Sequence, residues 1–214
     1  VVDDSSPDDT IPGARALQPV FPELRLVVRT ADPGLSQSVV EGISLARAEV
    51  IQVIDADFSH PPELIPRFFR EIREGADVVI GSRYRSGGGV EAWPVSRQII
   101  SRGATLLARV FLPDLTDPGG GFFAFRRRVV EGAPLRPRGY KILFEILCKG
   151  RWQHVREIPY VFRNRRDGSS KLATGTMRDY VGQLVDISLF ALSRRTGAVW
   201  EEWSKALRFG VVGL

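Results

Sequence analysis

Apolar residues fall in short blocks separated by polar or glycine-rich punctuation. Val1-Val2 reads as the end of a strand and runs into the turn-forming cluster Asp3-Asp4-Ser5-Ser6-Pro7-Asp8-Asp9-Thr10. Leu24 to Val28 is a short β-branched run, a second strand candidate. Ser36 is placed to cap a helix reaching about Ala48, with Val39, Val40 and Ile43 on one face. Val50 to Ile54 predicts a strand that ends in Asp55-Ala56-Asp57. Pro61-Pro62 opens a helix to about Glu74 that carries Leu64, Ile65, Phe68, Phe69 and Ile72. Asp77 to Ile80 predicts a further strand, ending at Gly81-Ser82-Arg83.

Beyond this point the punctuation is denser. Ser86 to Gly89 predicts a mobile loop, because glycine leaves the backbone the most freedom. Ser96 to about Phe111 reads as a helix, Gly119-Gly120-Gly121 as a break, and Phe122 to Phe125 as an aromatic strand. Tyr140 to about Lys149 reads as a helix and Val155 to Phe162 as a strand. Arg163 to Leu172 reads as a basic loop. Thr176 to about Arg195 predicts a long amphipathic helix, followed by a second amphipathic segment with Trp200, Trp203 and Leu207.

Strands alternating with helices predict an α/β fold with a mostly parallel sheet flanked by helices. In such sheets ligands bind beyond the carboxyl ends of the strands, where Asp55-Ala56-Asp57 and Gly81-Ser82-Arg83 both fall. The division expected is a catalytic unit over residues 1–172 and amphipathic helices over 173–214.

Composition adds a sign to this frame. The 214 residues are 43% hydrophobic and 26% charged, with a net charge of +5, which suits one domain with a core and acidic partners. The excess is mostly arginine, whose planar fork matches phosphate oxygens, although genome composition would give the same bias. Cys148 stands alone, so no internal disulfide forms. No run of about 18 apolar residues predicts a bilayer span. The basic residues cluster in loops with few interleaved aromatics, a poor match to a nucleic-acid binder.

Candidate chemistry follows from placement. Asp55 and Asp57, one residue apart at a strand end, can hold a hard divalent cation such as Mg²⁺ or Mn²⁺, or can simply cap a polar loop. Asp3 and Asp4 can accept hydrogen bonds from a base or ribose, or close a turn. Arg97 and Ser101 share one helix face that could hold a phosphate, with Arg83 across the glycine loop. Arg165, Gly168, Ser170 and Lys171 form a loop rich in donors, a lid over phosphates or an ordinary exposed loop. His60 and His154 lack further His or Cys at ligand spacing, so zinc does not fit and both read as structural.

Taken in order, several segments resemble dolichol-phosphate mannosyltransferases of glycosyltransferase family 2. They are Val1 to Thr10, Asp55-Ala56-Asp57-Phe58-Ser59-His60-Pro61-Pro62-Glu63, Gly81-Ser82-Arg83-Tyr84, Gly87 to Val90, Trp93-Pro94 with Arg97 and Ser101-Arg102-Gly103. Asp117-Pro118 to Phe123, Gly139-Tyr140-Lys141-Ile142-Leu143 with Glu145, Glu157-Ile158-Pro159-Tyr160 and Gly168-Ser169-Ser170-Lys171-Leu172 continue the match.

The resemblance implies a GT-A (Rossmann-like) fold and transfer of a sugar, mannose from GDP-mannose, to a polyprenyl or dolichyl phosphate. It implies a metal at Asp55, Asp57 and Ser59, and a nucleotide at Asp3, Asp4, Asp55 and Ala56. The acceptor phosphate would lie at Arg83, Arg97, Ser101, Arg165 and Lys171, with Asp57, Arg83 and Arg97 acting on the reaction. Ser59 stands where the family often has Gln, and Gly120 where it usually has Ser. Family members begin with a further strand that precedes Val1, and without it poor folding and little activity are expected. The C-terminal segment resembles the approach to a small membrane domain, implying the cytoplasmic face of a membrane, peripheral or tethered. Rival readings at this stage are a UDP-glucose donor, a hydroxyl acceptor served by a base near Asp117 or Glu145, and a non-catalytic nucleotide- or lipid-phosphate-binding module.

Overall fold

The computed structural model describes residues 1–91, 93–163 and 175–196. In chain order its elements are β1 (Val2–Asp3), α1 (Thr10–Leu17), β2 (Val27–Val28), α2 (Leu35–Leu45), β3 (Val50–Val53), α3 (Ile65–Arg73) and β4 (Val78–Ser82). There follow β5 (Gly89–Val90), α4 (Val95–Arg109), β6 (Phe123–Arg126), α5 (Ile142–Lys149), β7 (Val155–Pro159), β8 (Val161–Phe162) and α6 (Gly175–Thr196).

The central sheet has the order β3-β6-β4-β7. β4 and β7 are parallel, and β6 runs antiparallel to both of its neighbours. The sheet is therefore mixed: β3 and β4 point the same way, as the strand–helix–strand pattern predicts, with the aromatic strand inserted between them. β1 and β2 form a parallel pair, as do β5 and β8.

Side-chain alternation along the strands sorts the core into two layers. Val78 and Ile80 of β4, with Phe123 and Phe125 of β6, face α4, α5 and α6 through Ala104, Ala108, Phe144, Ile146, Tyr180 and Ile187. Val79, Phe122 and Ala124 face the other way, onto Phe68 and Ile72 of α3 and onto Trp93, Tyr160 and Phe162. A strand covered on both faces has no polar face to show, which is why every residue of β4 is buried. α3 ends at Gly75, whose φ of +107° reverses the chain into β4.

α6 is tied to the sheet-covering helices. Tyr180 Oη donates to the Ala104 carbonyl at 2.5 Å, and Gln183 Nε2 donates to the Lys141 carbonyl at 3.1 Å. Lys149, fully buried, bridges Glu145 of its own helix and Asp186 of α6. The first amphipathic helix predicted near the C-terminus thus packs into the same core through Tyr180 and Ile187. The second, beyond residue 196, lies outside the described residues.

Three local expectations change. Ser36 is not the cap of α2: it sits inside the helix, fully buried, and its hydroxyl donates to the Arg138 carbonyl. Ser86 to Gly89 is not a free loop, because Gly89 and Glu91 donate to Tyr160 and Phe162 and lock β5 onto β8. A Cβ on Gly88 would lie 2.5 Å from the Ser82 carbonyl, so this glycine serves close approach rather than freedom. The strand expected over Val155–Phe162 splits at Tyr160, where Pro159 has no N–H and Tyr160 donates to Ser82.

Candidate functional site

The acidic pair leaves the carboxyl end of β3. The Asp55 N–H donates to His60 Nδ1 at 3.1 Å, and the same nitrogen lies 3.8 Å from Asp55 Oδ2. A ring that accepts at Nδ1 carries its neutral-form proton on Nε2. His60 is held in place by aromatic contacts: it stacks on Phe122 at 5.1 Å and meets Tyr160 and Phe162 edge-on. It therefore orients Asp55 from a buried position. Phe58, between Asp57 and Ser59, has a left-handed φ of 58° and is 72% exposed. That turn lets Asp57 Oδ1 accept the Ser59 N–H at 3.0 Å.

These residues fit a hard divalent ion. Two half-exposed carboxylates at a strand end, completed by phosphate oxygens and water, are a donor set that Mg²⁺ accepts. Among the described residues no group of three His, Cys, Asp or Glu side chains gathers at metal-binding distance. Ser59, the third expected ligand, is fully buried, and its Oγ has no hydrogen-bond partner among the described residues. Its lone pairs are thus available to a cation.

Arg83 has a different situation from the one its sequence position suggests. Its Nε and Nη2 grip Asp117 as a fork at 2.7 and 2.8 Å, and its backbone N–H donates to the same carboxylate at 3.0 Å. Burial opposes the guanidinium charge, and Asp117 more than offsets this, holding Arg83 well above its ordinary value. The charge of Arg83 is therefore largely cancelled. Asp117 is itself placed by Glu157 of β7, whose carboxylate accepts the backbone N–H groups of Thr116 and Asp117 and the Thr116 hydroxyl.

Arg97 is half-buried on α4. Its guanidinium lies 3.9 Å from the centre of the Trp93 ring, a stacked cation–π contact. One turn on, Ser101 accepts a hydrogen bond from the Tyr84 hydroxyl at 2.7 Å, which leaves its own O–H to donate elsewhere.

The carboxylate pair and the arginine cluster share one wall, and glycines build it. A Cβ on Gly121 would meet His60 at 3.3 Å and Asp55 Oδ2 at 3.8 Å. One on Gly120 would meet the Gly81 carbonyl at 3.2 Å and the Asp117 carboxyl at 3.7 Å, and one on Gly119 would meet Lys141 Nζ at 2.6 Å. Three consecutive backbone units thus run from Asp55 past Asp117 to Lys141. Tyr160 spans the same interval: its hydroxyl is buried with no partner among the described residues and feels Arg83, Asp117 and Asp55. Burial pushes that hydroxyl's pKa upward, so it stays a neutral donor.

The first acidic pair is largely occupied. Asp3, buried, accepts the Ser6 N–H and closes a turn. Asp4 accepts Arg29 and Ser38 on one oxygen and the Gly34 N–H on the other. Burial would raise its pKa, but Ser38, Gly34 and Arg29 together hold it below the usual range. Asp4 thus ties the first loop to α2, and only one of its roughly four acceptor positions remains for a nucleoside. Ala56 is exposed between the Asp55 and Asp57 carboxylates. Arg165 and Lys171 lie outside the described residues.

Sequence reasoning gave Arg83 no carboxylate partner and did not single out Glu157 and Lys141, which lie beside the Arg83–Asp117 pair. A cavity of about 560 Å³ opens beside Asp77, Arg128 and Trp152 at the other end of β4, and none of the expected site residues lines it.

The mixed sheet flanked by helices, with a carboxylate pair at one strand tip and arginines at the next, has the GT-A fold. The likeness to glucosyl-3-phosphoglycerate synthase from Mycobacterium tuberculosis, crystallised with Mn²⁺, UDP-glucose and glycerol 3-phosphate, supports that fold. The TM-score is 0.61 at 18% identity, covering 88% of this chain and 66% of that one. Residues 1–132 match the model of Glycosyl transferase family 2. The whole chain is 43% identical to the dolichol-phosphate mannosyltransferase of Pyrococcus furiosus and spans 59% of it. The enzyme of that name from Mycosarcoma maydis is 36% identical over 89% of this chain and 66% of its own. The one from Saccharomyces cerevisiae is 33% identical over 88% of this chain and 73% of its own. The chain belongs to glycosyltransferase family 2 and spans about three fifths to two thirds of the first two of these relatives.

Proposed function

We propose that this chain is the catalytic domain of a hexosyltransferase that moves mannose from GDP-mannose to a dolichyl or polyprenyl phosphate at the cytoplasmic face of a membrane. The observation that carries the reading is the glycine wall, which brings Asp55 and the Arg83–Asp117–Lys141 group to one surface. Asp55, Asp57 and Ser59 would hold Mg²⁺ or Mn²⁺, which when bound supplies positive charge to the departing diphosphate. Asp3, the remaining acceptor position of Asp4 and the backbone at Ala56 would hold the nucleoside. Arg97 and Ser101 would hold the acceptor phosphate in line, with Arg165 and Lys171 closing over it.

A phosphate monoester has its second pKa near 6, so at neutral pH the nucleophilic oxygen is already deprotonated. It forms a bond to the anomeric carbon as the bond to the diphosphate breaks, and the electron pair leaves with the nucleotide. No base is required, and one displacement inverts the centre. A hydroxyl acceptor would need a base, and neither candidate is available for that work. Asp117 is locked by Arg83, and Glu145 is fully buried against Lys149.

The test is a donor screen with farnesyl phosphate as acceptor: GDP-mannose should give product and UDP-glucose should not. Arg97→Ala is expected to lower kcat/KM for the lipid phosphate by on the order of 100-fold, the loss of one or two charge-assisted hydrogen bonds, with little change in donor KM. Arg97→Lys should recover only part of it, because an ammonium does not stack on Trp93 as a guanidinium does. An equal loss toward donor and acceptor would count against the assignment.

A further inference from the structure

We propose that Lys141 is a further substrate-contacting residue, whose ammonium group, set against Gly119 beside the Arg83–Asp117 pair, receives the phosphate of the lipid acceptor together with Arg97. The inference rests on the transferase reading and supplies the charge that Arg83 cannot.

Two buried lysines in this chain make the case by contrast. Lys149 is 3% exposed and its Nζ has three partners: Glu145 Oε1 at 2.7 Å, Asp186 Oδ2 at 2.5 Å and the Pro134 carbonyl at 3.3 Å. That is how a structural buried ammonium is satisfied. Lys141 is 4% exposed, yet its Nζ makes no hydrogen bond and no ion pair among the described residues. It lies 5.2 and 5.4 Å from the Tyr140 and Tyr180 rings and directly against the backbone of Gly119, where a Cβ would fall 2.6 Å away. Its main chain is fixed by Gln183 of α6, so the position is set rather than incidental.

The surroundings call for an anion. Arg83 faces Lys141 from the end of β4, Asp117 from the loop before β6, Tyr140 from the loop before α5 and Tyr180 from α6. Arg97 of α4 acts on Tyr140 alongside Arg83 and so borders the same group. Arg83 and Asp117 cancel, which leaves the Lys141 ammonium as a buried charge with no anion of its own among the described residues. A phosphate monoester supplies one. Burial first, and Arg83 second, push the Lys141 ammonium down to about 8, so it is charged at neutral pH and loses its proton as pH rises through that value.

The donor diphosphate is the other source of phosphate oxygens. Gly119 and Lys141 lie at the far end of the glycine wall from Asp55, which favours the acceptor. The experiment titrates the full chain separately with farnesyl phosphate and with GDP plus Mn²⁺, as wild type and as Lys141→Met. At neutral pH the variant should bind farnesyl phosphate at least about 10-fold more weakly and GDP unchanged. Wild-type affinity for farnesyl phosphate should fall as pH rises through about 8, a range in which the ligand's own charge is constant, and the variant's should not. The variant should also melt no lower than wild type, since methionine removes an unpaired buried charge.

Equal affinities, parallel pH profiles, or a loss confined to GDP would each overturn the inference. Should the variant fail to fold, a wild-type affinity that is flat through that pH range overturns it equally. A wild-type chain that binds neither ligand sinks the transferase reading and this inference together. One that binds both, with the variant indistinguishable, sinks this inference alone.

Discussion

Replacing Asp117 by alanine is expected to disturb the proposed lipid-phosphate site, by releasing Arg83 from its fixed position, and to destabilise the fold in one step. The side chain is fully buried and accepts three hydrogen bonds from Arg83, two from the guanidinium and one from the backbone. Its loss strands a buried guanidinium next to a buried ammonium, Lys141, with no carboxylate between them. Breaking a buried pair from one side costs about 3–5 kcal/mol, because the remaining charge stays desolvated. Against a total stability of roughly 5–15 kcal/mol that is a large share, and it corresponds to a fall in Tm of about 10 °C for a domain of this size. Asp117→Asn keeps the shape and one acceptor oxygen but not the charge, so it should fall between. Thermal melts and farnesyl phosphate titrations of both variants measure the two effects separately. An alanine variant with wild-type Tm and wild-type affinity would show that the fork is not a part of the site.

The same pair shows why part of the site was legible in the sequence and part was not. Asp55-Ala56-Asp57 follows an apolar run directly, so the strand and the chemistry at its tip are read from adjacent residues. The Arg83–Asp117 pair joins positions 34 apart through the insertion of β6 between β3 and β4, which no local pattern encodes. Arg83 therefore reads as a free cation when it is a neutralised one. Lys141 was visible only as one residue of a family-like segment, because nothing local distinguishes it from Lys149, whose burial is fully compensated.

The fold divides in a similar way. β4 and α3 were readable because a strand buried on both faces and a helix with one apolar stripe each have an unmistakable spacing. α1 was not, since it buries none of its residues and carries Pro12 and Gly13. Pro12 is tolerated because it falls in the first turn, where backbone N–H groups have no helical partner. The Gly119–Gly121 run was read as a break, whereas each of the three is a point of close approach. Composition reveals that side chains are missing there but not what the bare backbone touches. A Cβ on Gly120 would lie 3.2 Å from the Gly81 carbonyl, closer than a Cβ ordinarily tolerates.

The second large effect is expected at Asp57, and asparagine isolates it better than alanine. Asp57 has two jobs. Its Oδ1 accepts the Ser59 N–H and so supports the turn in which Phe58 holds a left-handed φ. Its charge is the part proposed to hold a divalent cation. Asparagine keeps an oxygen for the turn, so the fold should change by less than about 1 kcal/mol. It replaces an anionic ligand by a neutral one, and loss of an electrostatic contact to a developing charge of this kind costs about 10²–10³ in kcat. Turnover from GDP-mannose should fall by at least that factor, and Mn²⁺ should cease to tighten GDP binding. His60 provides the matched control. It touches Asp55 from within an aromatic cluster, so His60→Ala should lower Tm through the lost packing with Phe122 and Tyr160 while leaving Mn²⁺-dependent GDP binding detectable. If Asp57→Asn turns over at the wild-type rate, the carboxylate's charge is not what the reaction uses, and the cation must be held by other residues.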